Sequence, residues 1–472
     1  MVMGTSVATT VRNEGAMPTF GSGLRGDLIR PGDERYEAAR RVWNGAIDRR
    51  PGLIARCRGV ADVVGCVRFA RDHDLPVAVR GGGHNVAGTA VCDGGLVIDL
   101  SAMKGMRVDP VGRTAWAEPG LTWGEFDRET QASGLATTGG IVTHTGIAGL
   151  TLGGGIGWLM RKHGLTIDNL AAVDMVTADG RELRASAEEN PDLFWGVRGG
   201  GGNFGIVTSF EYRLHPVGHT VLAGPVFYPL ERAKEVLRLY RAVIASAPDE
   251  LTTILNLRRA PAVPFLPAAM HGMPVIAVSA CYAGPIEEGE RVLRPLRLFG
   301  SPLIDLIAPK PYLAHQAMFD ATVPHGWHYY WKSWEVPALD DDVAEVLIAH
   351  ASAVTSPLSY CIIFQLGGAI GRVGEDATAY GRRGMGHNVN INAVWTPDDP
   401  SPARHVRWAR DFWSALEPFA PGGVYVNFLG DEGEDRVKAA YGPEKYARLV
   451  ALKHRYDPTN LFRLNQNIRP AG

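Results

Sequence analysis

Residues 80–88 read RGGGHNVAG, and this stretch determines which fold the sequence predicts. It lies between two segments typical of β-strands, residues 75–79 before it and residues 96–100 after it. Three consecutive glycines are favourable only where the backbone bends sharply or a ligand approaches it closely. The free N–H groups of such a turn form a concave anion site that suits a phosphate, with His84 at its mouth. A glycine-rich turn with a solvated histidine is the alternative interpretation.

A second glycine-rich segment covers residues 137–157, TTGGIVTHTGIAGLTLGGGIG. Its residues are mostly small or hydroxyl-bearing, and it contains no aspartate, glutamate, lysine or arginine. Main-chain N–H groups and small hydroxyls approach a ligand closely, so this composition favours a backbone that wraps an extended cofactor. A buried loop between helices is the alternative interpretation.

A third segment, residues 194–207, reads FWGVRGGGGNFGIV and contains a literal GxGxxG at Gly200, Gly202 and Gly205. In a dinucleotide-binding fold this motif follows a strand and opens a helix. Here residues 206–214 alternate and are rich in β-branched and aromatic side chains, which predicts a strand instead. Residues 219–227 also lack the acidic residue that the motif requires about twenty positions on. The sequence therefore argues against a nicotinamide-binding domain.

Composition limits the classes of function. A chain of 472 residues predicts two or three domains, and 46% hydrophobic with 21% charged residues is typical of a globular protein. The net charge of −2 gives no reason to expect nucleic acid or a membrane as partner. The five scattered cysteines form no CxxC pair, so neither a disulfide framework nor a metal site is indicated. Residues 1–24 are interpreted as a flexible leader rather than a signal peptide, which predicts a cytoplasmic location.

The central part of the chain loses the glycine clusters and alternates helices with strands. Trp327, Tyr329 and Trp331 share one face of a predicted strand, and Asn388, Asn390 and Asn392 share a face of another. A polar face with aromatic residues suits a substrate wall, and a sheet with one solvated face is the alternative. Further predicted elements are strands at 53–57, 114–117, 275–280, 361–368 and 423–428 and helices at 33–44, 61–73, 122–133, 230–247 and 443–455.

Together these segments resemble the FAD-linked oxidases of the vanillyl-alcohol-oxidase (PCMH-type FAD-binding) superfamily, in the branch of berberine-bridge-enzyme-like and 6-hydroxynicotine-oxidase-like proteins. The segments that match are residues 80–88, 139–157, 194–207, 425–428 and 456–467. The resemblance implies an α+β protein with a two-part FAD-binding domain, residues 25–216 and 408–472. A substrate domain built on an antiparallel sheet, residues 217–407, would be inserted between the two parts.

The resemblance also implies roles for individual residues. His84 would carry FAD covalently, the Tyr-x-Asn pair Tyr425 and Asn427 would be catalytic with Tyr425 as the base, and Asn467 would help to hold the flavin ring. The implied cofactor-binding set is Arg80, Gly81, Gly82, Gly83, Asn85, Gly88, Thr145, Gly146, Gly149, Gly154, Gly157, Val207, Asn465 and Asn467. The implied substrate wall is Trp327, Tyr329, Trp331, Asn390 and Asn392. No metal is expected.

This chain departs from the family at two positions. Val142 stands where bicovalent relatives carry a second attachment cysteine, so attachment through His84 alone is predicted. Leu150 stands where relatives often carry histidine. Gly140 takes the position that controls oxygen access, and a residue without a side chain there favours an oxidase.

The implied reaction is oxidation of an alcohol, sugar, phenol or amine group. Hydride passes to flavin N5 while Tyr425 accepts a proton, and dioxygen becomes hydrogen peroxide. A free phenol has a pKa near 10, so Tyr425 needs an activating neighbour, for which a lysine or a second tyrosine is the hypothesis. The expected partners are a small-molecule substrate and dioxygen. A flavoprotein dehydrogenase and a flavin-dependent cyclase remain as alternatives.

Overall fold

A computed structural model describes residues 20–384 and 386–471. Most of the predicted leader, residues 1–19, lies outside the described residues. Within the described part of the chain, no helix has the length and apolar character needed to cross a bilayer.

The first sheet explains how the glycine turn of residues 81–83 is presented. Its strands are β1 (Asp27–Ile29), β2 (Leu53–Arg56), β3 (Val77–Arg80) and β4 (Leu96–Asp99), in the order β1-β2-β4-β3. Strands β2 and β3 both run parallel to β4, and the helix Val60–Asp72 connects them. This helix forms because Val63, Val67 and Ala70 recur at helical spacing and are fully buried. The turn therefore leaves the carboxyl end of a parallel strand, where α/β sheets bind ligands.

The predicted helix at residues 33–44 is wrong beyond one turn. The structure has a helix only at Tyr36–Ala39. Trp43 N–H instead donates to the Gly83 carbonyl at 3.1 Å, and Asn44 Nδ2 donates to the carbonyls of Val86 and Tyr329 at 2.8 and 2.9 Å. Tertiary hydrogen bonds to the glycine turn thus override the helical pattern of this segment.

The second sheet is antiparallel and comes from the same half of the chain. It contains β5 (Met106–Asp109), β6 (Thr114–Ala117), β8 (Leu170–Val176), β9 (Glu182–Ser186) and β10 (Ile206–Arg213), in the order β5-β6-β10-β8-β9. A short pair joins β7 (Leu135–Ala136) to β11 (His215–Pro216). Because β10 starts directly after the GxGxxG motif, the strand prediction is confirmed and the motif opens no helix.

The third sheet is antiparallel, as predicted, and has eight strands. Its strands are β12 (Thr220–Pro229), β13 (Leu251–Arg259), β14 (Pro274–Tyr282), β15 (Ile304–Asp305), β16 (Ala308–Pro311), β17 (His328–Val336), β18 (Tyr360–Gln365) and β19 (His387–Trp395). They follow the order β15-β12-β14-β13-β18-β19-β17, and β16 also pairs with β12. One face carries Leu255, Val278, Ile363 and Val389 and packs under helices in a large apolar core.

The opposite face of this sheet points at the glycine-rich half of the molecule. Ile362 and Phe364 of this face share a core with Trp43, Trp158 and Tyr425. The sheet spans residues 220–395, and the domain boundaries at 216/217 and 407/408 stay a prediction.

The remaining helices complete the two halves. They are Trp123–Gln131, Ile147–Leu152, Met160–His163, Pro191–Val197, Ala233–Ala245, Ile286–Leu298, Tyr312–Gln316, Asp341–Ser352, Ala369–Arg372, Pro402–Leu416, Glu434–Tyr441 and Pro443–Tyr456. A capping box of Thr122 and Glu125 starts the helix Trp123–Gln131. The 3₁₀ turns are Thr166–Asp168, Leu230–Arg232, Ala268–Met270, Asp320–Thr322, Glu375–Ala377, Glu417–Phe419 and Val426–Phe428.

The predicted strand at residues 423–428 is wrong. Tyr425 is extended, but Val426–Phe428 is a 3₁₀ turn in which Phe428 N–H donates to the Tyr425 carbonyl at 2.9 Å. Asn427 Nδ2 then donates both to the Leu150 carbonyl at 3.0 Å and to the Tyr425 hydroxyl at 2.8 Å. These side-chain hydrogen bonds hold the turn. No strand among the described residues forms a β-ladder with it.

Candidate active site

The three glycine-rich segments meet around one cavity of about 320 Å³. Residues 81–85, 145–153 and 200–207 all contribute to its wall. Gly82 and Gly146 touch backbone to backbone, since a Cβ built on Gly82 would lie 2.4 Å from the Gly146 nitrogen. Segments far apart in the sequence therefore form a single cradle made largely of main chain.

Most of the predicted cofactor-binding residues border this cavity, and none of the described residues in its wall is an aspartate, glutamate, lysine or arginine. The predicted residues that line it are Gly81, Gly82, Gly83, His84, Asn85, Thr145, Gly146, Gly149, Val207, Asn465, Tyr425, Asn427, Trp331, Asn390 and Asn392. The predicted residues outside the wall are Arg80, Gly88, Gly154, Gly157, Asn467, Trp327 and Tyr329.

Arg80 supports the glycine turn from behind. Its side chain is buried and pairs with the Asp99 carboxylate of the neighbouring strand β4 at 2.7 Å. Burial raises the pKa of Asp99, but the charge of Arg80 and its hydrogen bond outweigh burial and leave that pKa below its usual value. Arg80 therefore lies outside the cavity wall and fixes the end of the strand from which the turn departs.

Three predicted glycines serve packing rather than the cavity wall. A Cβ on Gly88 would lie 2.6 Å from Ile47, and one on Gly157 would lie 1.7 Å from the Gly139 carbonyl oxygen. Gly154 has φ of 133°, and its Cβ would lie 3.1 Å from the Tyr425 ring. These glycines let the backbone approach its own neighbours closely.

Other glycines of the wall leave real space. A Cβ added at Gly149 or Gly202 would meet no atom of the protein within 4 Å. Nearby, the buried atoms His84 Nε2 and Asn465 Oδ1 have no hydrogen-bond partner. Buried polar atoms without partners are uncommon unless a ligand or water satisfies them. A bare main-chain cradle together with orphaned polar atoms fits a long, polar cofactor such as FAD.

His84 lies in a cluster of rings beside the glycine turn. It stacks on Trp43 with ring centroids 4.1 Å apart and lies 5.0 Å from the ring of His144, which in turn is 4.9 Å from His325. Burial holds the pKa of His84 well below its ordinary value, and the two neighbouring histidines lower that pKa further. The imidazole is therefore neutral at pH 7, the form in which a ring nitrogen is a nucleophile.

Tyr425 is buried, and its hydroxyl oxygen accepts two hydrogen bonds. The Gly155 N–H and the Asn427 Nδ2–H each donate to that oxygen at 2.8 Å. Burial raises the pKa of Tyr425 to about 12, although both donors lower it. No lysine or arginine appears among the groups that shift this pKa in the described chain, so the lysine hypothesis lacks support. The second tyrosine nearby is Tyr380, with ring centroids 6.0 Å apart.

The substrate wall differs from the predicted one in its aromatic members. Trp331, Asn390 and Asn392 line the cavity, whereas Tyr329 is buried in a stack with Trp43 at 3.7 Å. Trp43 occupies this face because its indole Nε1 donates to the Val323 carbonyl at 2.9 Å, which anchors the ring under β17. Trp327 lies outside the cavity wall.

Sequence reasoning missed six aromatic residues of the wall, which are Trp43, Tyr360, Phe364, Phe428, Tyr441 and Phe462. Tyr360, Ile362 and Phe364 recur at period two in β18, so that pattern placed them on one face. It did not show which face meets the glycine-rich half, because both faces of this sheet are buried.

Gly140, Val142 and Leu150 all border the cavity. A Cβ on Gly140 would lie 2.6 Å from the Leu150 Cδ1 atom. The space that the absent side chain leaves is therefore taken by Leu150, so a glycine at this position does not by itself open a path for dioxygen.

The C-terminal tail is tied to the third glycine segment. Lys453 is completely buried, pairs with Asp457 at 2.7 Å, and donates to the carbonyls of Asn203 and Phe462, each at 2.9 Å. This network brings Asn465 to the cavity wall. Asn467 lies just outside the wall with a buried Oδ1 that has no partner.

Gly149→Val provides a test of the cradle. We expect about tenfold weaker FAD binding with an unchanged fold, because the new side chain enters open cavity space and overpacks the bound cofactor. The measurement is the ratio of flavin to protein absorbance after gel filtration. Gly65→Val is the matched control, since Gly65 also faces open space on a helix but lies outside the cavity wall. Full flavin content in Gly149→Val would contradict the assignment of this space to FAD.

Comparison with known proteins agrees with this geometry. Residues 51–186 match the model of an FAD binding domain, and residues 424–469 match the model described as berberine and berberine like. The chain is 32% identical to an FAD-linked oxidoreductase of Dictyostelium discoideum over 98% of both chains. It is 30% identical to the (R)-6-hydroxynicotine oxidase of Paenarthrobacter nicotinovorans, with 95% of this chain and 98% of that one covered.

Solved structures show the same fold. The crystal structure of 6-hydroxy-D-nicotine oxidase from Arthrobacter nicotinovorans superimposes with a TM-score of 0.86 at 30% identity, covering 95% of this chain and 98% of that one. The berberine-bridge-like protein 1 of Physcomitrella patens gives a TM-score of 0.86 at 23% identity over 97% of this chain and 99% of that one. The expectation of a PCMH-type α+β fold is therefore confirmed.

Proposed function

The chain belongs to the FAD-linked oxidoreductases of the berberine-bridge-enzyme-like and 6-hydroxynicotine-oxidase-like branch, and on that premise we propose that it is an oxidase carrying FAD on His84. The observation that carries this proposal is the convergence of three elements on one cavity. The main-chain cradle, the partnerless His84 Nε2 and the Tyr425 hydroxyl all belong to or border the same wall. The identified relative that is 30% identical is by name an oxidase, which supports dioxygen as the acceptor.

FAD, when bound, supplies a ring that takes a hydride from substrate and passes the electrons on to dioxygen. The protein's part is to hold the group and exclude water. Gly81, Gly82, Gly83 and Asn85 present main chain at the end of β3 and would hold the pyrophosphate through their N–H groups. Val207 lies at the start of β10. We assign Val207 to the part of the cavity that would hold the adenosine end of FAD.

His84 is proposed as the attachment residue. Its ring is fixed by stacking on Trp43, and its Nε2 is buried without a competing hydrogen bond. A neutral ring nitrogen held in one orientation beside the cofactor cradle is arranged for bond formation. The other position that relatives use is Val142, which has no nucleophilic atom.

Tyr425 is proposed to move the substrate proton. The Gly155 N–H and the Asn427 amide fix the position of its oxygen and stabilise negative charge on it. Proximity of this oxygen to a substrate O–H or N–H contributes through orientation as well as acidity. We propose a small molecule with an oxidisable alcohol, phenol or amine group as substrate, because the sheet side of the wall combines Trp331, Tyr360, Ile362 and Phe364 with Asn390 and Asn392.

A substrate screen of the purified protein in air, read by hydrogen peroxide release, tests the oxidase proposal. We expect one peroxide for each substrate molecule oxidised and a yellow protein with flavin absorbance. A protein that bleaches with substrate and stays bleached in air would be a dehydrogenase instead. A colourless protein that does not retain added FAD would overturn the proposal altogether.

A further inference from the structure

One buried arginine in the described part of the chain has neither a carboxylate partner nor a set of carbonyl partners. Seven arginine and lysine side chains are buried among the described residues, and six of them have their terminal nitrogens bonded to carboxylates or to several carbonyls. Those six are Arg40, Arg80, Arg161, Arg383, Lys445 and Lys453. Arg258 is the exception, because the guanidinium hydrogen bond that the described structure gives it runs only from Nε to the Arg259 carbonyl, at 3.1 Å.

Arg258 is 7% exposed and lies over the ring of Tyr360, with its guanidinium carbon 4.9 Å from the ring centroid. Burial lowers its pKa, and the one interaction that opposes this shift comes from Tyr360. Taking a charge out of water costs several kcal/mol unless a partner compensates it. A cation–π contact returns about 2 kcal/mol when it is desolvated. The fold therefore tolerates a charge that it does not neutralise.

The position of Arg258 in the sheet connects it to the substrate wall. In the strand register Arg258 is opposite Tyr360, Tyr360 is opposite Asn392, and Asn392 is opposite Trp331. These four residues form one row across β13, β18, β19 and β17 on the face that points at the cavity. Tyr360, Asn392 and Trp331 line the cavity, so Arg258 is the next residue beyond its wall.

This row of four residues carries hydrogen-bond donors at both of its ends. Trp331 Nε1–H is buried without a partner at one end, and the guanidinium lies at the other. Three strand spacings separate the two ends, or about 14 Å. A bicyclic aromatic carboxylate fits within that length.

We propose that Arg258 binds an anionic oxygen group of the substrate, so that the enzyme acts on aromatic compounds bearing a carboxylate or an ionised phenol. This inference rests on the proposed oxidase function and specifies its substrate class. The anion pairs with Arg258, the ring system lies along Tyr360 and Trp331, and the oxidised carbon is directed toward Tyr425. The charged group of the ligand thus supplies the counter-charge that the protein does not provide to Arg258.

Calorimetric titration of the FAD-containing protein tests this directly. The probes are 2-naphthoate and its neutral analogue 2-naphthamide, with pentafluorophenolate as the phenolate probe. We expect the wild-type protein to bind at least one anion about 10- to 100-fold more tightly than the amide, and Arg258→Met to abolish that preference. Arg258→Lys keeps part of it, because the charge remains but the planar fork is lost.

Arg259→Met is the matched control. It removes the same charge one residue away, where the side chain is on the opposite face and bonds to the Gly272 carbonyl. We expect it to retain the anion preference. The thermal midpoint of Arg258→Met without ligand should equal or exceed that of wild type, whereas an arginine with a structural role would lower it on removal.

Equal affinity of the wild type for both anions and the amide, or an unchanged preference in Arg258→Met, would overturn the inference. If the binding of only one of the two kinds of anion depends on Arg258, then the charged group of that anion, carboxylate or phenolate, is the one that Arg258 binds. If Arg258→Met does not retain FAD, the other three proteins decide the question. The inference then requires that the wild type and Arg259→Met prefer the anion and that Arg258→Lys shows a weaker preference. The titration needs no turnover, so its result is separable from failure of the peroxide assay.

Discussion

His84→Ala is expected to release all of the FAD from the polypeptide on acid denaturation, whereas the wild-type precipitate stays yellow. The reason is that His84 Nε2 is buried, neutral and without a hydrogen-bond partner beside the glycine cradle. The second attachment position offers no nucleophile, since it is Val142. The measurement is flavin fluorescence of the denatured chain on a gel, together with the mass of the intact protein.

His144→Ala is the matched control for this experiment. His144 belongs to the same ring cluster, 5.0 Å from His84, and both its ring nitrogens are buried without partners. We expect this variant to keep its flavin through denaturation. Release of flavin from the wild-type protein, or colour that persists in His84→Ala, would show that His84 is not the attachment site.

Tyr425→Phe is expected to lower kcat by about 10²- to 10⁴-fold, the usual contribution of a positioned acid or base. The phenylalanine keeps the ring that packs between Tyr380 and Phe428 but removes the oxygen that Gly155 and Asn427 position. Flavin content should not change, so the loss appears in turnover alone. Steady-state peroxide release with a substrate from the screen measures the effect.

The pH dependence identifies what Tyr425 does. Burial raises the pKa of Tyr425 to about 12, so the hydroxyl is protonated at neutral pH. A base must be ionised, and the ionised fraction rises about tenfold per pH unit below that pKa. We therefore expect kcat/KM to rise steadily from pH 7 to 10 in the wild type, and this slope to vanish in Tyr425→Phe.

Tyr441→Phe is the control for the tyrosine variant. Tyr441 also lines the cavity, but its hydroxyl donates to the Gly199 carbonyl and is committed to the fold. We expect its activity to remain within a few fold of wild type. A flat profile in the wild type combined with the same loss in Tyr425→Phe would mean that the hydroxyl donates a hydrogen bond and is not the base.

The glycine-rich segments were predictable because the absence of side chains is a local property of the sequence. Glycines such as Gly82 and Gly149 have no side chain in any tertiary environment. A turn between two strands also exposes its main chain, whatever place in the fold the turn occupies. The strand after the third segment was predictable for the same reason, since alternating β-branched residues at 206–213 have that preference themselves. These features alone predicted a cofactor cradle and excluded a nicotinamide fold.

Roles that depend on a distant partner were predicted less well. Arg80 adjoins the glycine turn in sequence, yet its side chain turns to Asp99 on the next strand. Tyr329 alternates correctly with Trp331, but Trp43, nearly 290 positions earlier, covers it. The 3₁₀ turn at Val426–Phe428 replaces a predicted strand because the Asn427 amide bonds to the Leu150 carbonyl and the Tyr425 hydroxyl. Periodicity shows which side chains share a face and contains no information on what meets that face.

The sequence by itself determined the family, the α+β architecture and the three bare main-chain segments, because local composition and spacing are enough to specify them. Only the tertiary structure decided which charges are paired, which aromatic rings line the cavity and how far burial shifts the pKa values of His84 and Tyr425. Arg258 shows the difference most clearly. In the sequence it is one of 48 basic residues, and its lack of a counter-charge exists only once every other group around it has been placed. Electrostatic free energy depends on distance and burial, which are properties of the folded chain rather than of the residue.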